Sequence, residues 1–190
     1  MDKMHTRPIP SSNEALPVVG CGTWQTFDVG AGSRAPLIEV LRTLFDAGGS
    51  VIDSSPMYSA AEGVVGDLLE AMRARQRAFV ATKVWTSGRD AGIAQMRRSM
   101  TLLKCRQSDL MQVHNLLDWR TQLATLRAWK REGRIRYLGI THYTPSAYGD
   151  LEAVMRAEAL DFVQIDYALD DRAAEQRLLP LAADRGIAVV

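Results

Sequence analysis

The sequence predicts an α/β fold built on a parallel β-barrel, and three observations point there. Short apolar runs begin at residues 18, 51, 79, 110, 137, 162 and 186, and each interval of 24 to 33 residues holds one amphipathic helix. That regularity gives βα units with right-handed crossovers, hence a parallel sheet. Asp53, Lys83 and His114 each stand where an apolar run meets a loop, and Tyr58 follows Asp53 by five residues. A parallel barrel gathers residues at that end of its strands into one mouth. Finally, the first run leads into Gly22-Thr-Trp-Gln25, without spaced glycines turning straight into a helix over a pyrophosphate. This weighs against a doubly wound dinucleotide-binding sheet, the main competitor.

The elements follow in order. Residues 1–17 are polar and proline-punctuated and predict a loop or short hairpin. The first strand is expected over 18–24. A helix follows with Leu37, Leu41, Leu44 and Phe45 on one face, closed by Gly48 and Gly49. The second strand delivers Asp53, after which Ser59 is expected to cap a helix with Glu62 in a capping box. Val65, Leu68, Leu69 and Met72 form the buried stripe of that helix. The third strand ends at Lys83, with Asp90 the expected cap of a helix carrying Ile93, Met96, Met100 and Leu103. The fourth strand ends at His114. Its helix turns Leu123, Leu126 and Trp129 inward and closes at Gly133, with Lys130 and Arg131 in the last turn, where cations suit the dipole. A fifth strand over 137–141 is followed by Thr144 as cap, with Pro145 at the first helical position. Leu151, Val154 and Met155 are the next buried stripe. A strand over 162–167, a helix with Leu178, Leu179 and Ala182, and a strand over 186–190 complete the pattern.

Composition narrows the function. With 190 residues and 47% hydrophobic content the chain can bury one sizeable core. Charges nearly cancel at +1 with no basic block, which argues against nucleic acid and against an anionic membrane surface as partners. No apolar run approaches the roughly 20 residues of a membrane helix. The first eight residues lack the apolar core of a secretion signal, so a cytoplasmic location is expected, with an exported form the alternative if a leader has been removed. Cys21 and Cys105 read as buried thiols rather than a disulfide framework. His5, His114 and His142 show no tight ligand spacing, which disfavours a metal site.

The residues at the strand ends suit activation of a carbonyl. A tyrosine hydroxyl can give a proton to developing negative charge, although its ordinary pKa of about 10 makes it a reluctant donor. A lysine cation nearby eases that donation, and an aspartate holds the lysine charged and in place. A histidine can add a second hydrogen bond to the carbonyl oxygen. Tyr58, Lys83, Asp53 and His114 supply these groups.

Six pieces, in order, carry a resemblance: Gly20-Cys-Gly-Thr-Trp-Gln25, Asp53-Ser-Ser-Pro-Met-Tyr58 with Glu62 and Gly66, Ala81-Thr-Lys83, Gln112-Val-His114, the stretch 133–141, and Gln164-Ile-Asp-Tyr167. From about Thr6 to Val190 the chain resembles the aldo-keto reductases. The resemblance implies a (β/α)8 TIM barrel, C-terminally incomplete in this chain, with residues 1–190 forming a single partial barrel domain. It also implies reduction of an aldehyde or ketone with NADPH, or NADH as the alternative, by the tetrad Asp53, Tyr58, Lys83 and His114. Gly22, Thr23 and Trp24 would border the cofactor beside Asp53, and Gln164 would bond the nicotinamide carboxamide. Thr141 and His142 stand where the family usually has a Ser-Asn pair on the same amide. Asn115 stands where many members have tryptophan, implying a wetter, roomier substrate pocket, which Trp24, Tyr58, Trp85 and His114 would also line. The family's usual state is a monomer, though some members assemble.

A barrel of this kind usually needs about 250 residues, so the sequence is expected to cover only part of a natural chain. By the same resemblance, the aromatic residue that stacks on the nicotinamide and the basic groups that read the 2′-phosphate would follow Val190. Two other functions fit the same barrel: a nucleotide-sensing or regulatory subunit that binds cofactor without turnover, and a sugar-phosphate enzyme, which would need a phosphate site in later loops.

Overall fold

The computed structural model describes residues 4–190. An antiparallel hairpin, β1 (Thr6–Pro8) with β2 (Ala15–Pro17), precedes a seven-stranded parallel sheet. The sheet runs in sequential order: β3 (Gly20–Gly22), β4 (Val51–Asp53), β5 (Phe79–Val84), β6 (Ser108–His114), β7 (Ile135–His142), β8 (Phe162–Ile165) and β9 (Ala188–Val189). The crossovers carry α1 (Ala35–Asp46), α2 (Ala61–Ala71), α3 (Arg89–Leu102), α4 (Trp119–Arg131), α5 (Tyr148–Ala157) and α6 (Leu178–Arg185). Parallel neighbours in sequential order curl into a half-barrel with helices outside: seven strands of a (β/α)8 arrangement. The hairpin predicted within residues 1–17 is present; residues 1–3 of that reading lie outside the described residues.

Burial has two layers. Outside, Val84, Met111, Val113, Ile140 and Val163 on the strands meet the predicted helix stripes, including Leu123, Leu126 and Trp129 of α4 and Leu151 and Met155 of α5. A second outer cluster joins Leu41 and Phe45 of α1 to Val65, Leu68 and Leu69 of α2. Inside the half-barrel, Phe79, Leu110, Tyr137 and Phe162 pack with Ile9 and Leu16, so the hairpin plugs the N-terminal end of the strands. Each such apolar side chain, fully buried, contributes roughly 1.5–3 kcal/mol. Among the described residues, no helix is long and apolar enough to cross a membrane.

Several local expectations are corrected. Ser59 does not cap α2: its backbone is left-handed (φ 50°), the N-cap is Ala60, and Glu62 turns inward to accept hydrogen bonds from Thr82 (2.5 Å) and Ser99 (3.0 Å). A buried hydroxyl pair binds that carboxylate in place of the exposed helix end. Asp90 sits in the first turn of α3 but does not cap it. Gly88 is the N-cap, and its N–H donates to Asp118 (2.7 Å) on the next loop. Thr144 stands at the N-cap with Pro145 in the first helical position, as expected, but the helix there is a 3-10 turn, Pro145–Ala147, and the Thr144 hydroxyl engages His142 and Ser146 rather than the helix N–H groups. Three strands are shorter than predicted. Val18 and Val19 are half exposed, and Tyr167 leaves the sheet to donate to Glu175. Cys21 and Cys105 are free and only partly buried, and burial pushes both thiols up in pKa.

Candidate active site

Side chains on the inner face of a strand recur every second residue, and each strand here changes character along its length. Val51 gives way to Asp53, Phe79 and Ala81 to Lys83, Leu110 to Gln112 and His114, and Phe162 to Gln164. Register sets the levels: Lys83, Gln112, Gly139 and Phe162 are paired across β5 to β8, and His114, Thr141 and Gln164 one step higher. Gly139 leaves room for its neighbour, since a Cβ there would lie 2.7 Å from the Phe162 carbonyl oxygen.

Lys83 is the centre of the polar end. It is 1% exposed, and its ammonium donates to both oxygens of Asp53 (2.8 and 2.6 Å) and to the Ser54 carbonyl (2.8 Å). An ammonium has three hydrogens, so all are engaged. Buried Thr23 keeps the Asp53 turn in place, its hydroxyl lying 3.0 Å from both the Asp53 carbonyl and the Ser54 hydroxyl. Gln164 donates to Asp53 (3.1 Å) and accepts from Gln112 (3.0 Å). One N–H and one carbonyl lone pair of Gln164 remain, the set that complements a primary amide.

Tyr58 lies over this pair, with the Lys83 nitrogen 5.2 Å from its ring centroid. Its ring meets His114 edge to face at 6.2 Å. Burial, and then the Asp53 charge, push the phenol up to about 12. The physical reason is that Asp53 neutralises Lys83 at contact distance, while the phenol loses solvent. Burial, with the Lys83 and His142 charges, pushes His114 down to about 4, so its imidazole is neutral at pH 7.

Tyr58, Lys83, His114, Asn115, Thr141, His142 and Gln164 line one cavity of about 200 Å3. Asn115 in its wall is left-handed (φ 52°), and its amide oxygen is buried without a partner among the described residues. Gly22 and Asp53 line a neighbouring cavity of about 530 Å3, between β3 and β9, with Gln164 common to both. Trp24 and Trp85 line neither; they are 64% and 37% exposed. A larger cavity, about 1020 Å3, lies elsewhere among side chains already paired, including Lys130 with Asp161 and Arg127 with Glu158.

Sequence reasoning missed Ser55, whose hydroxyl is 3.1 Å from His114 Nδ1, and gave Gln112 no role. The alternation of the strand held the second signal, because Gln112 stands two residues before His114 on the same face. Ser55 belongs to a turn, where no such period applies.

The fold and this polar end together define the class: a parallel βα-barrel with a buried lysine–aspartate pair at the C-terminal ends of its strands. The sequence profile of the Aldo/keto reductase family matches residues 18–190, and the chain belongs to that family. It is 28% identical over 138 residues to the 9,11-endoperoxide prostaglandin H2 reductase of Trypanosoma cruzi (strain CL Brener), covering 68% of this chain and 46% of that protein. It is 26% identical over 186 residues to the aldo-keto reductase YhdN of Bacillus subtilis (strain 168), covering 89% and 55%. Among solved structures, an aldo-keto reductase from Klebsiella pneumoniae in complex with NADPH superposes with a TM-score of 0.81 at 26% identity, covering 100% of this chain and 67% of that one. The chain thus spans about half the length of these two curated relatives.

Proposed function

We propose that this chain carries the catalytic site of a nicotinamide-dependent carbonyl reductase acting on an aldehyde or ketone, with Tyr58 as the general acid. The observation that carries the reading is the ion pair of buried Lys83 with partly buried Asp53, set beneath the Tyr58 ring and beside a neutral His114. A phenol protonated throughout the physiological range holds the proton the carbonyl oxygen needs. Charge developing on that oxygen would draw on the Lys83 cation and on an N–H of His114, in a site where little water screens them. Asp53 keeps Lys83 in position and protonated through both of its oxygens.

The residues fit a nicotinamide. The free N–H and lone pair of Gln164 match its carboxamide, and Thr141 and His142 border the same cavity. When bound, the nicotinamide supplies the hydride. NADPH is the cofactor we propose, supported by the Klebsiella pneumoniae complex, with NADH the alternative, since an Escherichia coli (strain K12) relative, 25% identical, is an NADH-specific methylglyoxal reductase. That relative makes methylglyoxal a suitable first substrate to try.

The test is consumption of NADPH by the whole natural protein with a panel of small aldehydes and methylglyoxal. Tyr58→Phe should lower kcat by roughly 10²–10⁴-fold while cofactor binding, read by fluorescence quenching, is unchanged. Undiminished turnover in the variant would refute Tyr58 as the acid. One observation favours a second reading, a nucleotide sensor: Asp53 and Ser54 engage every Lys83 hydrogen. Quenching without consumption of any substrate in the wild type would support it.

A further inference from the structure

We propose that Ser55 is a positioning residue that locks His114 in the Nε2–H tautomer, so that the imidazole turns a hydrogen-bond donor toward the cavity. Ser55 is fully buried in the turn after β4, and its Oγ lies 3.1 Å from His114 Nδ1. The same oxygen accepts the N–H of Met57 at 3.2 Å. That amide takes one of the oxygen's acceptor sites, and the place of the hydroxyl hydrogen decides the direction of the bond. A hydroxyl has one hydrogen and two lone pairs. With the amide pointing at the oxygen, its hydrogen finds an acceptor at Nδ1.

The reverse arrangement fails on the same count. A proton on Nδ1 would aim a second donor at Ser55 Oγ and leave the hydroxyl hydrogen without an acceptor among the described residues. Buried donors are rarely left in that state. It would also turn a bare Nε2 lone pair toward the cavity, where it would repel a carbonyl oxygen. The ring carries a single proton at pH 7, since burial and the Lys83 cation oppose a second, so choosing the nitrogen chooses the function. With Nδ1 accepting, the proton resides on Nε2. Among the described residues, no protein group bonds Nε2, and the ring borders the 200 Å3 cavity beside Tyr58.

The catalytic consequence rests on the carbonyl-reduction reading: the Nε2–H orients and polarises the oxygen that Tyr58 protonates. The tautomer itself does not depend on that reading. The experiment is long-range 1H–15N correlation on the whole protein labelled at histidine, at pH 7, with His114 assigned from its absence in His114→Gln. The wild type should show Nε2 protonated and Nδ1 bare. Ser55→Thr, which keeps the hydroxyl, should match it, and Ser55→Ala should show both nitrogens averaged between tautomers. Protonated Nδ1 in the wild type would overturn the inference, and so would a Ser55→Ala spectrum identical to the wild type. For turnover, Ser55→Ala should lower kcat by roughly ten- to a hundred-fold with KM for NADPH unchanged and Ser55→Thr restoring most of the loss. An Nε2–H tautomer in a protein that reduces no carbonyl would sink the activity and leave the lock standing. A reductase with Nδ1–H would do the opposite.

Discussion

The two ends of the half-barrel are built from the same strands and solve opposite problems. At the base, Phe79, Tyr137 and Phe162 stack with ring centroids 5.5 to 6.0 Å apart, and the hairpin closes over them. Polar groups there find protein partners. Tyr137 donates to Glu14 (2.6 Å), Arg136 bonds Glu14 and Asp109, and Asp109 also accepts from Arg75 and the Val80 amide. At the mouth the ion pair is equally well satisfied, yet the Gln112 and Asn115 amide oxygens are buried without partners. The Tyr58 hydroxyl and His114 Nε2 also make no bond to a described residue. The base is arranged for stability and the mouth for something that must still arrive. On the inner face of the strands the orphaned side-chain oxygen is that of Gln112, at the mouth.

Substitutions at the two ends should therefore fail in different ways. At the base, Phe162→Ala should remove roughly 3–5 kcal/mol of stability, read as a lower urea midpoint, with turnover per folded molecule unchanged. A variant of wild-type stability but altered kcat would erase the distinction. At the mouth, Asp53→Ala strands the Lys83 ammonium and should cost a comparable amount, about 3–5 kcal/mol. Adding Lys83→Met should recover most of it, because an apolar pair needs no partner, while activity stays lost. A double variant as unstable as the single one would mean that the pair holds the fold rather than the chemistry.

A smaller effect follows from pH. His114 titrates near 4 in the folded protein, below its ordinary 6.5, so the unfolded chain binds this proton more readily between those values. Its contribution is complete above about 6.5 and is lost as pH falls toward 4. Because the ring is partly exposed and screened, we expect roughly 1–2 kcal/mol. Urea midpoints at pH 7 and 4.5 should lie closer together in His114→Gln than in the wild type, the remaining gap belonging to His142, whose pKa burial also lowers, and to carboxylates such as Glu152 that partners hold below the usual range. Equal slopes in the variant and the wild type would contradict the burial of a neutral ring. Smallest of all, Tyr137→Phe loses the hydroxyl bonds to Glu14 and Ser12 and should cost about 1 kcal/mol, with no change in activity.

The gathering of the mouth residues was legible because each of Asp53, Lys83 and His114 ends an apolar run, and a parallel sheet brings such ends together. The helix stripes were legible for a related reason: burial imposes a period, as at Leu123, Leu126 and Trp129. What escaped depends on partners distant in sequence. Ser59 and Glu62 have the spacing of a capping box, but Thr82 and Ser99, 20 and 37 residues beyond Glu62, take the carboxylate. The upward shift of Tyr58 was not legible, because the sequence shows neither the burial of the ring nor the Asp53 charge beside it. The end of β8 was overextended because Tyr167 has strand character but finds Glu175 outside the sheet.

Under the proposed function, hydride delivery to a carbonyl carbon is coupled to protonation of the oxygen by Tyr58 within one site. That coupling is tested most directly by supplying NADPH deuterated at the transferring position with methylglyoxal or another small aldehyde, and weighing the alcohol by mass spectrometry. We expect one deuterium in the alcohol made by the wild type and a single-turnover rate at least about 100-fold lower in Tyr58→Phe. Alcohol without the label, or a Tyr58→Phe protein that transfers it as fast as the wild type, would contradict it.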